Sequence, residues 1–378
     1  MFPSPHLVKI YISHATVPAM QFFSDAAKNP DILKLIYTPR FTNNFNAIDN
    51  IRKHDNIDSL LLNIKQILKK YPSVKIELHT QIHPFKMYSD VLRAIPTNRL
   101  FHVYVYDDGS EDYVNFYINK KTGRQKEVLK ASDEAWQKFF SGESNLIGHR
   151  NMIAKYLPVT HYMLRPDYLD HSDMKIVKDA MTQNNAQIKK IDFDNLRMQL
   201  SELEKKRYFK YIGFNYKKIK KILCQSSNFS FVFTGSAVYD DPQRAQKFVE
   251  EQINMIKNVI QPEGILHKYL NGKTYDFFLK LHPHGGDSNK KTKNAFPDFP
   301  NIPNFIGYEA LIVSGLIPDR TGGFLSSLYF NLPKEKIAFL VASVDKTEWD
   351  DPLVQVMIEL GIIRESSIYF LSDLKLLN

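Results

Sequence analysis

Short apolar runs alternate along this chain with longer segments whose apolar residues recur three and four positions apart. The runs Leu33–Tyr37 and Leu100–Tyr106 are rich in aromatic and β-branched residues, which is typical of strands. Ile57–Lys70 has apolar residues at helical spacing and ends in lysines, which favour a helix C-terminus. The same reasoning predicts strands at Leu7–Ser13, Val74–His79, Phe229–Thr234, Tyr275–Leu281 and Ile337–Ser343, and helices at Val17–Ala27, Asp133–Ser141, Asp241–Ile260 and Tyr308–Ser314.

The alternation is interrupted in the middle of the chain and then restarts. From Ala131 to about Lys221 the pattern is more helical and less regular, and at Phe229 strands return. Two successive series of alternating strands and helices predict an α/β chain with two parallel-sheet domains, each with helices on both faces. A length of 378 residues also favours two domains over one.

Composition adds constraints on the compartment. A hydrophobic fraction of 43% with 24% charged residues is ordinary for a globular protein and excludes a disordered chain. Cys224 is the only cysteine, which excludes an intrachain disulfide and suits a reducing compartment. The first ten residues lack the pattern of a signal peptide, and the sequence has no uncharged run of membrane-spanning length. We therefore expect a soluble, cytoplasmic protein.

The net charge of +9 favours anionic partners. Its densest cluster is Y-K-K-I-K-K, which contains Lys217, Lys218, Lys220 and Lys221. A solvated helix face explains such a cluster, and so does peripheral contact with an anionic membrane. Nucleic acid is not expected, because no aromatic and arginine repeat accompanies the lysines.

Ligands of parallel sheets bind at the carboxyl ends of strands, so the motifs at those ends are the candidates for chemistry. D-D-G-S (Asp107 to Ser110) follows a strand and has three interpretations: a turn, an acidic metal pair, or a general base. Adjacent carboxylates on extended chain point to opposite sides, so Asp107 and Asp108 are not expected to share one role.

A second motif, K-L-H-P-H-G-G, ends the strand that begins at Tyr275. His282 is either a turn residue or a cation at a phosphate, with Pro283 fixing its direction. A zinc site at His282 and His284 lacks the expected partner ligands.

Two further segments suggest contacts with a nucleotide. T-G-G-F-L-S-S predicts a glycine turn entering a helix (Gly322–Phe330), with serines in the first turn that would bind phosphate. Glu309, at the start of a helix, is either a cap or a carboxylate that binds ribose hydroxyls.

The order of these motifs resembles one family. Y-D-D-G-S, F-T-G, K-x-H-P-x-G-G, an E-x-L helix and the block from Gly315 to Ile337 (G-L-I-P-D-R-T-G-G-F-L-S-S-L-Y-F-N-L-P-K-E-K-I) are similar to the bacterial sialyltransferases of glycosyltransferase family 80, typified by the multifunctional Pasteurella enzyme. The resemblance covers most of the chain and is thinnest between about Gly123 and Lys206.

The resemblance implies a GT-B fold of two Rossmann-like domains facing each other across a deep cleft. Residues 1–157 would bind the acceptor, residues 158–352 would bind CMP-sialic acid, and residues 353–378 would pack back on the first domain. It implies inverting, metal-independent transfer of sialic acid to a galactose-terminated glycan such as lipooligosaccharide. No cofactor is expected.

Site residues are carried over position by position. Asp108 would be the general base and His282 the acid at the CMP phosphate. The implied donor-binding residues are Gly235, Lys280, Pro283, Glu309, Ser326 and Ser327. The implied acceptor-binding residues are Arg40, Asp107, Glu111 and Tyr239.

The chain departs from the family pattern where acceptor preference would be set. Tyr239 lies near the place of a tryptophan that stacks on the acceptor, and Glu111 replaces a methionine. A further acceptor-side histidine aligns with either His83 or the region of Lys86. The linkage formed, α2,3 or α2,6, is therefore not predicted.

Three alternatives remain from the sequence. The first is a related GT-B transferase that uses another CMP-activated acid, such as Kdo. The second is a non-catalytic nucleotide- or glycan-binding protein. The third is a metal-dependent phosphohydrolase using Asp107, Asp108, His282 and His284.

Overall fold

The computed structural model describes residues 5–39, 50–83, 85–224, 226–236, 242–270, 272–283, 285–342 and 351–370. The chain forms two compact units. The first comprises Met1–Asp192 and Met198–Gly213, and the second comprises Phe193–Arg197 and Phe214–Asn378.

The first unit contains a parallel sheet of seven strands in the order β3-β2-β1-β4-β5-β6-β7. Its strands are β1 Leu7–Ile12, β2 Leu33–Tyr37, β3 Ile51–Lys53, β4 Lys75–Thr80, β5 Leu100–Tyr106, β6 Val159–Met163 and β7 Gln187–Lys190. The helices of this part of the chain are α1 Thr16–Lys28, α2 Ile57–Lys70, α3 Lys86–Ala94, α4 Glu111–Lys121, α5 Gln125–Ser141, α6 Lys175–Met181, α7 Phe193–Gln199 and α8 Glu202–Tyr211.

The second unit contains a parallel sheet of five strands in the order β12-β11-β10-β8-β9. Its strands are β8 Phe229–Thr234, β9 Tyr275–Lys280, β10 Arg320–Phe324, β11 Ile337–Ala342 and β12 Ile368–Phe370. Its helices are α9 Tyr216–Leu223, α10 Pro242–Ile260, α11 His267–Leu270, α12 Gly286–Ala295, α13 Tyr308–Ser314 and α14 Pro352–Glu359.

Each unit has its own apolar core, built from strand residues and the inner faces of helices. α2 illustrates why these residues form helices. Asn56 caps it by accepting a hydrogen bond from the N–H of Ser59, and Leu60, Ile64 and Ile67 are buried on one face. Burying these three side chains contributes roughly 1.5–3 kcal/mol each.

The glycines of T-G-G-F-L-S-S lie within strand β10 and not in a turn, which corrects the sequence prediction. A Cβ atom on Gly322 would lie 2.9 Å from the ring of Phe339, and one on Gly323 would lie 2.3 Å from the backbone oxygen of Thr234. Gly323 also has φ +135°. Glycine is therefore required for β10 to pack between its neighbouring strands.

The predicted domain boundary at residue 157 is too early. β6 and β7 continue the first sheet, so the first unit extends beyond Leu157, to Asp192 and then from Met198 to Gly213. The C-terminal segment was expected to pack on the first domain, but its strand β12 pairs with β11 in the second sheet. Residues 371–378 lie outside the described residues.

The basic cluster forms helix α9, which begins after the Asn215 cap. Ile219 and Leu223 are buried, while all four lysines of the cluster are exposed. None of the helices in the described parts of the chain combines the length and apolar character that a membrane span requires.

Candidate functional site

The strand order of the first sheet brings three carboxyl ends together. β4 pairs with β1 on one side and with β5 on the other. β2 and β3 lie beyond β1, whereas β5, β6 and β7 lie beyond β4, so the chain changes direction across the sheet between β1 and β4. Ligands of open α/β sheets bind outside the strands at such a switch point. The residues that follow β1, β4 and β5 therefore form the candidate site of the first unit.

Asp108, which follows β5, is bonded to His83, which follows β4. Oδ2 of Asp108 lies 2.9 Å from Nε2 of His83, and the side chains are 13% and 11% exposed. Burial would raise the pKa of Asp108, but the hydrogen bond and charge of His83 hold this pKa below its ordinary value. Burial would lower the pKa of His83, but Asp108 raises it. Asp108 is therefore held as a carboxylate at neutral pH.

Gln81 is directed at the same oxygen of Asp108, with Nε2 3.4 Å from Oδ2. Its Oε1 accepts hydrogen bonds from the hydroxyl of Ser13 and from the N–H groups of His14 (3.1 Å) and Ala15 (3.3 Å), in the turn after β1. These donors fix the orientation of the amide. Oδ2 of Asp108 is thus held from two sides. Oδ1 is buried and accepts no hydrogen bond from the described part of the chain.

Glu111, the first residue of α4, adds a third titratable group to this pair. One ligand atom from each of His83, Asp108 and Glu111 lies within 4.8 Å of the others. Burial and the charge of Asp108 raise the pKa of Glu111. These atoms could surround a cation, although one nitrogen of His83, Nε2, is already bonded to Asp108.

Asp107 is not available to an acceptor, which corrects its predicted role. Its side chain is completely buried. One oxygen is bonded to the guanidinium of Arg150, and the other accepts from the hydroxyl of Tyr113 and from the N–H of Leu164, the latter at 2.7 Å. Arg150 also binds Asp112 at 2.7 Å. Asp107 therefore anchors the loop that presents Asp108. This occupancy argues against the phosphohydrolase, which needs Asp107 as a metal ligand.

Two of the remaining acceptor-side predictions fall outside the described residues, and the alternative between His83 and Lys86 falls within them. Arg40 and Tyr239 lie outside the described residues, as does His284. Of the two positions left open for an acceptor-side histidine, His83 lies against Asp108. The Lys86 side chain is 81% exposed and is bonded to Asp90.

In the second unit, Lys280 ends β9 and His282 follows two residues later. The backbone oxygen of His282 accepts hydrogen bonds from the N–H of Gly285 at 3.1 Å and from the side chain of Asn289 at 2.7 Å. Pro283 is exposed in the turn between them, and Gly286 begins α12 with φ +46°. The backbone oxygen of His282 is thus held by two hydrogen bonds from the residues that follow it.

Lys280 and Glu309 are both buried, and the charge of each affects the pKa of the other. Burial lowers the pKa of Lys280 to about 8, although the charge of Glu309 raises it. Burial raises the pKa of Glu309, although its own backbone N–H, the charge of Lys280 and the Asn331 side chain lower it. Nζ of Lys280 donates to the backbone oxygen of Asn304 at 3.1 Å, and Asn331 donates to Oε1 of Glu309 at 3.1 Å.

Gly235 follows β8, next to the carboxyl end of β9, and its N–H donates to the backbone oxygen of Lys280 at 3.0 Å. A Cβ atom on Gly235 would lie 2.7 Å from Oε1 of Gln252, so the close approach requires glycine. Ser326 and Ser327 follow β10, where Ser326 caps a short 3₁₀ helix by accepting from the N–H of Leu328. The predicted donor residues Gly235, Lys280 and Ser326 therefore follow or end strands at the carboxyl edge of one parallel sheet.

The model of the family described as sialyltransferase PMO188 matches residues 8–364 of the chain. The chain belongs to this sialyltransferase family. The family assignment makes it a glycosyltransferase, and it confirms the family predicted from the ordered motifs.

Solved sialyltransferases share its fold. A 2,6-sialyltransferase of a Vibrionaceae Photobacterium species, in a complex with CMP and lactose, is 25% identical and matches with a TM-score of 0.85 over 97% of this chain and 78% of its own. The GT-B domain of a Photobacterium damselae sialyltransferase is 27% identical, with a TM-score of 0.84 over 96% of this chain and 99% of its own. An α-2,3-sialyltransferase of Photobacterium phosphoreum, 24% identical, matches with a TM-score of 0.82 over 97% and 99%.

These structures confirm the predicted GT-B fold class with its two parallel-sheet domains. A search of curated protein sequences found no match. Three side chains that contact predicted site residues were not assigned from the sequence: Gln81 and His83 at Asp108 in the first unit, and Asn331 at Glu309 in the second. Each lies on a different segment from the group that it contacts. The family pattern had left His83 as one of two candidates for an acceptor-side histidine, and nothing local in the sequence indicated Gln81 or Asn331.

Proposed function

We propose that this sialyltransferase transfers sialic acid from CMP-sialic acid to a terminal galactose of a glycan, with inversion and without a metal. The observation that carries the proposal is the held carboxylate of Asp108 at the switch point of a chain that belongs to a sialyltransferase family. The similar Photobacterium 2,6-sialyltransferase was solved with CMP and lactose, which supports a cytidine nucleotide donor and a galactose-containing acceptor.

In the proposed reaction, Asp108 removes the proton from the acceptor hydroxyl. The acceptor oxygen then forms a bond to C2 of sialic acid as the bond from C2 to the phosphate oxygen of CMP breaks. Attack from the face opposite the leaving group inverts the configuration. The low pKa of Asp108 keeps it in the carboxylate form that accepts a proton. His83 and Gln81 hold Oδ2 and so fix the orientation of the carboxylate that takes this proton.

The leaving group needs charge stabilisation more than it needs activation. CMP leaves as a phosphate monoester, and His282 as an imidazolium would neutralise it or give it a proton. Lys280, Glu309, Ser326 and Ser327 are the proposed contacts of the nucleotide. A cation supplied by the protein at the phosphate takes the place that a metal ion has in other transferases.

The test is CMP release from CMP-sialic acid and lactose in the presence of EDTA, with the protein first freed of metal. Asp108→Asn should abolish transfer while CMP binding, measured by calorimetry, stays within about twofold of the parent protein. Asp90→Asn, which changes an acidic residue on α3 of the same unit, is the matched control and should transfer normally. Loss of activity on chelation, restored by a divalent ion, would contradict the metal-free mechanism.

The same assay separates the alternatives. A transferase for another CMP-activated acid should release CMP faster from CMP-Kdo than from CMP-sialic acid when the two compete. A binding protein should bind CMP but should release no CMP from either donor.

For the acceptor, we propose a galactose-terminated surface glycan such as lipooligosaccharide. The exposed lysines of α9 suit peripheral contact with an anionic membrane where such glycans are built. Binding to vesicles with and without anionic lipid tests that contact.

A further inference from the structure

Phe85 is an exposed aromatic side chain beside the candidate base. It is 58% exposed, although it directly precedes α3 and lies two positions after His83. A single exposed phenylalanine is ordinary on a protein surface. What distinguishes Phe85 is its position next to the residue that holds Asp108.

The ring of Phe85 is supported on its inner side and open on its outer side. Its centroid lies 5.8 Å from the His83 ring and 6.5 Å from the ring of Tyr88. Tyr88 is buried, and its ring also lies 6.3 Å from that of His83. The aromatic surface is therefore backed by a packed cluster, which restricts the orientations that the exposed ring can take.

The spacing matches the size of two linked sugars. With the acceptor hydroxyl at Asp108, as proposed above, the galactose ring would lie beside the Asp108 and His83 pair. The next sugar of the glycan then lies one ring away, which is the separation of the His83 and Phe85 rings. The C–H face of a hexose packs on the electron-rich face of an aromatic ring, and a neutral sugar brings no charge that would need a partner there.

We infer that Phe85 is the surface on which the second sugar of the acceptor stacks, so that the enzyme favours disaccharide or longer acceptors over a single galactose. The inference rests on the proposed function and adds to it the class of acceptor. It assigns an acceptor subsite to the first unit, separate from the predicted contact at Tyr239.

Phe101 provides a matched control. It is 57% exposed, almost the same as Phe85, and belongs to the same unit. It lies in the first residues of β5, at the amino end of the sheet, whereas Phe85 follows the carboxyl end of β4. Phe101→Ala thus removes an equally exposed ring at the amino end of the strands, opposite to the end where the candidate base lies.

The experiment compares lactose, methyl β-galactoside and water as acceptors at saturating CMP-sialic acid. Covering one face of a phenyl ring removes on the order of 50 Å² of apolar surface from water, which corresponds to about tenfold in affinity. Phe85→Ala should therefore raise KM for lactose about tenfold. Its kcat, the rate with methyl β-galactoside and the rate of donor hydrolysis should all stay within about twofold.

Phe85→Trp should keep the low KM for lactose, and Phe101→Ala should match the parent protein with every acceptor. If Phe85→Ala reduces kcat/KM equally for lactose and methyl β-galactoside, the ring acts on the base. If KM for lactose is unchanged, the ring touches no sugar. Either result overturns the inference while leaving the proposed transfer intact. If the parent protein transfers to neither galactoside, the proposed function and this inference fall together.

Discussion

The bond between His83 and Asp108 allows a prediction whose size follows from the structure. The two atoms are 2.9 Å apart, and both side chains are nearly buried. His83→Ala removes the hydrogen bond and the neighbouring positive charge together. His83→Gln removes the charge but keeps a side-chain N–H that can reach the same place.

A hydrogen bond to a charged group contributes about 1.5–3 kcal/mol. Losing this contribution removes a group that favours the carboxylate, so the pKa of Asp108 should rise in His83→Ala. Part of the depression remains, because the hydrogen bond of Glu111 and the charge of Arg150 also lower this pKa. His83→Gln should give a smaller rise, since a neutral donor replaces a charged one.

The assay is the pH dependence of kcat/KM for lactose at saturating CMP-sialic acid, whose acid limb reports the ionisation of an essential base. A raised pKa means that Asp108 is protonated at higher pH, so the acid limb should move upward in the order parent, His83→Gln, His83→Ala. His102→Gln is the control, because His102 makes an equally short 2.9 Å bond to Thr160, away from Asp108, and should leave the limb in place.

Stability supplies a second, independent measurement. The lowered pKa of Asp108 contributes stability above its unfolded pKa near ~3.9, which is lost as the pH falls. The raised pKa of His83 contributes stability below its unfolded pKa near ~6.5, which is lost as the pH rises. The stability lost in His83→Ala should thus be largest between about pH 4 and 6.5. A variant with lower activity but an unmoved acid limb would refute the argument that His83 acts through the ionisation of Asp108.

Three further predictions follow from buried groups and close packing. Arg150→Met leaves the Asp107 carboxylate buried without its charged partner and should lower the free energy of unfolding, measured with urea, by about 3–5 kcal/mol. CMP binding by the parent protein should weaken as the pH rises through about 8, where Lys280 loses its proton, and Lys280→Met should remove this pH dependence in calorimetry. Gly323→Ala should cost about 3 kcal/mol in urea unfolding because of the clash with the neighbouring strand, whereas Gly123→Ala, also at positive φ but with open space around it, should cost about 1 kcal/mol.

Segments with an unbroken hydrophobic pattern were predicted to the residue, whatever their length. Leu33–Tyr37, Ile57–Lys70 and Phe229–Thr234 have the predicted bounds, whereas the long helix α5 begins at Gln125 and was predicted only from Asp133. β6 was not predicted because it carries a threonine and a histidine, both buried. Its hydrophobic run is therefore broken and is not recognisable as a strand from the sequence.

The position of the candidate site in the fold was predictable, but only some of its side-chain contacts were. Parallel sheets put ligands at strand ends, and the motifs at the ends of β5 and β9 directed attention to Asp108 and His282. The glycines of β10 were misread as a turn because close strand packing and a turn both require glycine. Local sequence does not distinguish the two.

That Asp107 and Asp108 have different roles was predictable from backbone geometry. Successive side chains on extended chain point to opposite sides, and here one carboxylate is completely buried against Arg150 while the other is held by His83. The partner of Asp108 was not predictable in the same way. The pairing of β4 with β5 decides which residue after β4 reaches Asp108, and it joins positions far apart in the sequence. His83 and Lys86 fit the family pattern equally well along the chain, and only the register between the strands places the histidine against Asp108.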